Sequence, residues 1–179
     1  LWEQTGLSLN LSMNLSTTSL IEGDLCNTLI NQCQRWSINP ELITLEVTES
    51  SFVKDLGKSL EVLTRLRMHG FGLSIDDFGT GFSSLSYLDR LPADRIKIDR
   101  AFVSALDNGD PGARGARIAE MVVPLGRKLG MKVLAEGIET EAQARRLGEL
   151  GCDDGQGFLY ARPMPIEELK LWLAGRAST

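Results

Sequence analysis

Histidine is nearly missing from this chain: His69 is the single one in 179 residues. Cysteine is scarce too, since Cys26, Cys33 and Cys152 make an odd set with no CxxC pair. That pattern fits reduced thiols in a cytoplasmic domain and offers no disulfide framework. A basic excess is also lacking, because the net charge is -5 and the pI about 5.0. This excludes a broad cationic surface for duplex nucleic acid and leaves room for a small anionic ligand held through metal ions. No apolar run reaches the roughly 20 residues that span a bilayer, and no signal-peptide pattern opens the chain. An initiating methionine is absent, so a piece upstream of Leu1 is expected. What is present is ordinary for a globular domain, 42% hydrophobic and 24% charged residues, enough for one sizeable core.

The hydrophobic pattern alternates between two periods. Leu7, Leu9, Leu11, Met13 and Leu15 fall on one side of a strand, with Ser8, Asn10, Ser12 and Asn14 on the other. A helix is predicted from about Leu20 to Trp36, and a strand over Leu42 to Thr48 puts Glu46 and Thr48 on its polar side. Leu56, Leu60, Leu63 and Leu66 recur at helical spacing up to a cap at Gly70, and a strand Gly72 to Asp77 follows. Next come a short helix Ser83 to Asp89, a strand Arg95 to Asp99, and a surface loop Asp107 to Gly115. A helix Arg114 to Leu129 contains Pro124, which requires a kink or a later start. The strand Lys132 to Ala135, a helix opened by the Thr140/Gln143 capping box and closed at Gly151, and a strand Gly155 to Leu159 follow in turn. A last helix should carry Pro165 in its first turn and end before Gly175.

Six strand–helix units in succession imply right-handed crossovers and a parallel α/β sheet. A TIM-type (β/α)8 barrel usually needs roughly 250 residues and eight units. Residues 1–179 therefore read as one domain carrying about six βα units, with two units, or about 60 residues, expected upstream.

Polar residues gather where the strands end: Asn14, Glu46, Asp76 with Asp77, Lys97 with Asp99, Glu136, and Gln156 near the final strand. One such carboxylate is commonly a helix cap or a solvated group. Recurrence on successive strands points instead to a shared mouth, because barrel strand ends converge. The set holds neither Cys nor His, which suits the hard cations Mg²⁺ or Mn²⁺ rather than zinc. Adjacent Asp76 and Asp77 at a frayed strand end would address neighbouring metals, an arrangement suited to in-line displacement at phosphorus. Lys97 would add positive charge beside the developing phosphorane or orient the attacking water.

Six ordered segments carry a specific resemblance: NLS at Asn14 to Ser16, LEVTES at Leu45 to Ser50, DDFGTGFSSL at Asp76 to Leu85, KIDRAFV at Lys97 to Val103, AEGIET at Ala135 to Thr140 and QGFLYARPMP at Gln156 to Pro165. They are similar to the motifs of the EAL family of cyclic-di-GMP phosphodiesterases. The resemblance implies metal-dependent hydrolysis of cyclic di-GMP to linear pGpG with two Mg²⁺ or Mn²⁺ ions per site. By the same resemblance Asn14, Glu46, Asp76, Asp77 and Glu136 are metal ligands, and Lys97 assists the water. Glu139 steadies the DDFGTG loop, which couples the metals to a homodimer, and Gln156 and Pro163 contact substrate. Upstream sensory or GGDEF-type domains, some tethered to a membrane, are implied as partners. Phe82 stands where tyrosine is commoner in the family. The tripeptide EAL occurs nowhere in the chain, so its metal-binding glutamate is expected in the missing units and these residues alone are expected to bind metal poorly.

Two rival readings remain from the residues. One is a module that binds cyclic di-GMP or docks a partner without turnover; the other is an enolase-type lyase using Lys97 as base. The remaining notable residues have structural explanations. His69 suits a helix C-terminus, Cys26 and Cys33 one buried helix face, Arg145 to Glu149 a solvated face. Trp2, Trp36 and Trp172 read as packing anchors, the latter two facing the barrel.

Overall fold

The computed structural model describes residues 9–21, 24–49, 51, 55–80, 88, 90–108 and 114–176. Six strands, β1 (Leu11–Leu15), β2 (Ile43–Thr48), β3 (Gly72–Phe78), β4 (Arg95–Ile98), β5 (Lys132–Ala135) and β6 (Asp154–Gly155), pair in chain order, every pair parallel. Between and after them run helices α1 (Thr17–Ile21), α2 (Leu25–Arg35), α3 (Leu56–Met68), α4 (Arg100–Ser104), α5 (Arg114–Lys128), α6 (Glu141–Leu150) and α7 (Ile166–Arg176). These are six units of a TIM-type barrel, the α/β architecture that the two alternating periods require.

The two faces of the sheet differ in chemistry. Ile43, Leu45, Val47, Leu73, Ile75, Ile96, Ile98, Val133 and Ala135 are all buried. They cover one face, and helix residues such as Leu63, Leu66, Ala119, Val123 and Leu147 complete the same core. The alternate positions are polar: Thr44 stands beside Gly72, Glu46 beside Ser74, Thr48 beside Asp76 and Arg95 beside Lys132. Neighbours in a parallel ladder point to the same side, so the opposite face is lined with hydroxyl and charged groups. A barrel interior is usually filled by branched apolar side chains; this one is arranged to carry charge toward the strand ends.

Loop aspartates close the strand bottoms. Asp94 Oδ2 accepts the Leu73 N–H at 3.0 Å and the same side chain pairs with Arg67, while Asp153 Oδ2 accepts the Val133 N–H at 2.8 Å. At the other end the helices begin on caps: Asp55 accepts from Lys58 N–H, Asp99 from Ala101 N–H at 2.7 Å, and Thr140 with Gln143 forms the expected capping box. Gly151 closes α6 at φ 90°, a left-handed conformation that side chains with a Cβ rarely adopt.

Several expectations need correction. The helix expected over Leu20 to Trp36 is two helices, because Asp24 caps a new one through Asn27 N–H. Trp36 does not face the barrel: it is 64% exposed, with its indole donating to Gln32 and Arg35 stacked on it. The short helix α4 was not anticipated; the Asp99 cap starts it directly at the end of β4. Helix α5 starts at Arg114 and runs through Pro124, so the later start is wrong. The strand expected over Gly155 to Leu159 stops at Gly155, since the backbone then wraps around Ile138, whose N–H donates to Gln156 O and whose carbonyl accepts from Leu159 N–H. Helix α7 begins at Ile166 and continues through Gly175. The Asp107–Gly115 loop is in part structured, with a 3-10 turn reaching Asn108 and α5 starting at Arg114. Residues 7 and 8 of the first strand, Trp2, Phe82 and all of the Ser83–Asp89 helix but Leu88 lie outside the described residues.

Candidate active site

The chemistry converges where β2 to β5 end. Lys97, on β4, is buried with 4% of its side chain exposed. Its ammonium donates to Glu46 Oε2 at 2.7 Å, Asp76 Oδ1 at 3.0 Å and Glu136 Oε1 at 2.7 Å. Those carboxylates come from β2, β3 and the residue after β5, so four neighbouring chain segments meet at one point. The apolar alternation of each strand commits Glu46 and Lys97 to the inner side and thereby creates the encounter.

Asp77 enters by a different device. A residue following Asp76 in a regular strand would point to the opposite side. Here Asp77 adopts φ 53°, and the β3–β4 register shifts between Ile75 and Phe78. Asp76 Oδ1 accepts the Asp77 N–H at 3.0 Å, which steadies the turn. As a result carboxylate oxygens of Asp76, Asp77 and Glu136 all lie within 4.8 Å of one another. Three hard, partly enclosed oxygen donors at that spacing fit a divalent cation such as Mg²⁺ or Mn²⁺, and among the described residues no thiolate or imidazole belongs to the group.

The remaining candidates do not contact Lys97, and Asn14 borders the cluster. Asn14 pairs in register with Glu46 and is exposed on β1. Glu139 is exposed and lines a separate hollow of about 460 Å³ with Arg100, Ser104, Gly137 and Gln143. Gln156 is exposed, its backbone N–H donating to Ala135 O at 2.8 Å, and Pro163 is exposed beyond it. Two residues not chosen from the sequence belong nearby. Asp99, noted only as a strand-end residue, lies near enough to Asp77 for its carboxylate to raise the Asp77 pKa, while it caps α4. Glu49 has a buried Oε2 without a hydrogen-bond partner among the described residues; its place three residues after Glu46 in LEVTES was the available signal.

Electrostatics follow from one ammonium shared among several carboxylates. Burial alone would lower the Lys97 pKa, but the hydrogen bonds it donates to Glu136, Glu46 and Asp76 overcome that and hold the ammonium charged. Glu136 is pushed up, first by burial and then by Asp76 and Glu46, against the pull of Lys97. Asp77 is pushed up by burial, by Asp76 and by Asp99. A carboxyl whose folded pKa is raised binds protons more readily folded than unfolded. Its contribution to stability is full below the unfolded pKa and is lost as pH rises through the folded one. In chelator, the stability of the chain relative to Glu136→Gln should therefore fall as pH rises above about 4, the ordinary glutamate range. Urea denaturation of both proteins measures this, and a flat or rising difference contradicts it.

The comparisons with known proteins bear on this site. A family model described as EAL domain matches residues 1–163. The chain belongs to the EAL domain family. Among curated relatives, the bifunctional diguanylate cyclase/cyclic di-GMP phosphodiesterase MucR of Pseudomonas aeruginosa is 48% identical over 162 residues, covering 89% of this chain and 23% of that protein. The chain thus spans about a quarter of that relative's length. A PaMucR phosphodiesterase–c-di-GMP complex matches with TM-score 0.83 and 46% identity over 89% of this chain and 70% of that one. A Klebsiella pneumoniae BlrP1 manganese/cy-diGMP complex matches with TM-score 0.75 and 34% identity over 86% of this chain and 39% of that one. Membership in the EAL family gives the Lys97-centred group a family context, and no helix of the described residues is long and apolar enough to cross a membrane.

Proposed function

We propose that this chain is the larger part of a phosphodiesterase domain that hydrolyses one phosphodiester bond of cyclic di-GMP to give linear pGpG, using two Mg²⁺ or Mn²⁺ ions. The observation that carries the reading is the meeting of Glu46, Asp76 and Glu136 on Lys97, with Asp77 turned into the same group. The named activities of MucR and the ligands of the BlrP1 complex support it. Asn14, Glu46, Asp76, Asp77 and Glu136 would hold the metals. When bound, such ions lower the pKa of water and draw charge from phosphate oxygens. The chain's own groups do the rest. Lys97 fixes three carboxylates in place and offers positive charge where the phosphorane gains negative charge. Gln156 and Pro163, exposed beyond β6, would contact the nucleotide, and Glu139 would steady the DDFGTG loop. About two further βα units would close the barrel and supply the EAL glutamate. A homodimer and upstream signalling domains complete the proposal.

The test uses the protein extended by the residues that precede Leu1 in its gene. Incubated with cyclic di-GMP and Mg²⁺ or Mn²⁺, it should accumulate pGpG, read by chromatography, and should stop when the ions are chelated. Tight binding of cyclic di-GMP without product would overturn the enzyme reading and make the domain a receptor.

A further inference from the structure

We propose that Lys97 is a positioning residue that assembles the metal-binding carboxylates in advance and opposes the divalent ion that they take up. The inference rests on the metal-binding reading of this cluster. Lys97 carries 4% side-chain exposure, and its partners Glu46, Asp76 and Glu136 carry 10%, 13% and 20%. Carboxylates this enclosed repel one another unless a cation lies between them. The ammonium lies there, within 3.0 Å of all three.

The same geometry sets up the opposition. Asp76 and Glu136 are held by Lys97 and also belong, with Asp77, to the group of oxygens within 4.8 Å of one another. A divalent ion among those oxygens would sit close to a fixed positive charge with little water between them. Like charges at such range in an enclosed site repel strongly. Lys97 therefore lowers the cost of forming the site and weakens its grip on metal. A lysine that merely packs, or that only assists the reacting water, would leave metal affinity where it is.

Lys97→Met keeps most of the side-chain volume and removes the charge. In chelator the Lys97→Met form of the extended protein should melt about 10 °C below its wild type, the scale set by breaking a buried ion pair in a domain of this size. Titrated with Mn²⁺ alone by calorimetry, it should bind at least about 10-fold more tightly, and saturating Mn²⁺ should recover most of the lost melting temperature. Unchanged or weaker Mn²⁺ binding, an unchanged melting temperature in chelator, or a failure of both extended proteins to take up Mn²⁺ overturns the inference. If the variant is unfolded in chelator, folding upon Mn²⁺ addition supports the inference and continued disorder at saturating Mn²⁺ overturns it. Tighter Mn²⁺ binding by the variant alongside absence of pGpG from the extended protein would defeat the proposed reaction and leave this inference standing.

Discussion

Asp76→Asn should lower cyclic di-GMP hydrolysis by the extended protein more than about 100-fold, the most that loss of an outer partner of a metal ligand costs. Its melting temperature in chelator should stay within a few degrees of wild type. The amide retains an oxygen to accept the Asp77 N–H and the Lys97 ammonium, now 3.0 Å away in each case, so the local hydrogen bonds survive. What disappears is one negative charge at the centre of a group of oxygens confined within 4.8 Å. A loss of binding and rate with an intact fold separates a ligand from a structural ion-pair partner. Initial rates of pGpG formation together with thermal melts measure both, and activity within a few-fold of wild type would remove Asp76 from the site.

A large effect on folding is expected at Gly157. A Cβ at this position would lie 2.1 Å from Ile138 O, 2.3 Å from Ile138 N and 2.7 Å from Ile138 C. All three are backbone atoms, and the same backbone makes the bonds Ile138 N–H to Gln156 O and Leu159 N–H to Ile138 O, each 3.0 Å. No rotamer change relieves the contact. The two segments must separate and abandon those bonds, so Gly157→Ala should cost about 3 kcal/mol or more, the upper end for overpacking. For a chain of this length that corresponds to a melting temperature lower by about 10 °C. The segment that moves begins two residues after Glu136, so metal affinity should fall as well. Calorimetric melting tests the prediction; a variant that melts with wild type would mean the close approach is absent in solution.

Much of this architecture could be read from residues because its causes are local. Alternation placed Glu46 on the polar side of its strand, and the Thr140/Gln143 box and Gly151 marked the limits of α6. Hard oxygen donors at successive strand ends pointed to one cluster, and Glu46, Asp76, Asp77 and Glu136 do gather. What was not legible depends on contacts distant in sequence. The φ of 53° at Asp77 comes with a register shift against β4, not from any propensity of aspartate alone. The strand expected over Gly155 to Leu159 turns away after Gly155 because Gly157 seats on Ile138, 19 residues earlier in the chain. Asp99 looked like a simple strand end, and only the Asp77 turn brings a carboxyl to it. Trp36 matched a helical apolar period, yet it ends α2 at the surface, where the period no longer constrains it.

Diffraction from crystals grown with Mn²⁺, collected at the manganese absorption edge, addresses the site without relying on turnover. The account predicts an anomalous peak bonded to the carboxylate oxygens of Asp76, Asp77 and Glu136, with the Lys97 ammonium displaced from at least one of its present partners. Manganese bound elsewhere on the molecule, with Lys97 still holding Glu46, Asp76 and Glu136 around an empty centre, would contradict it.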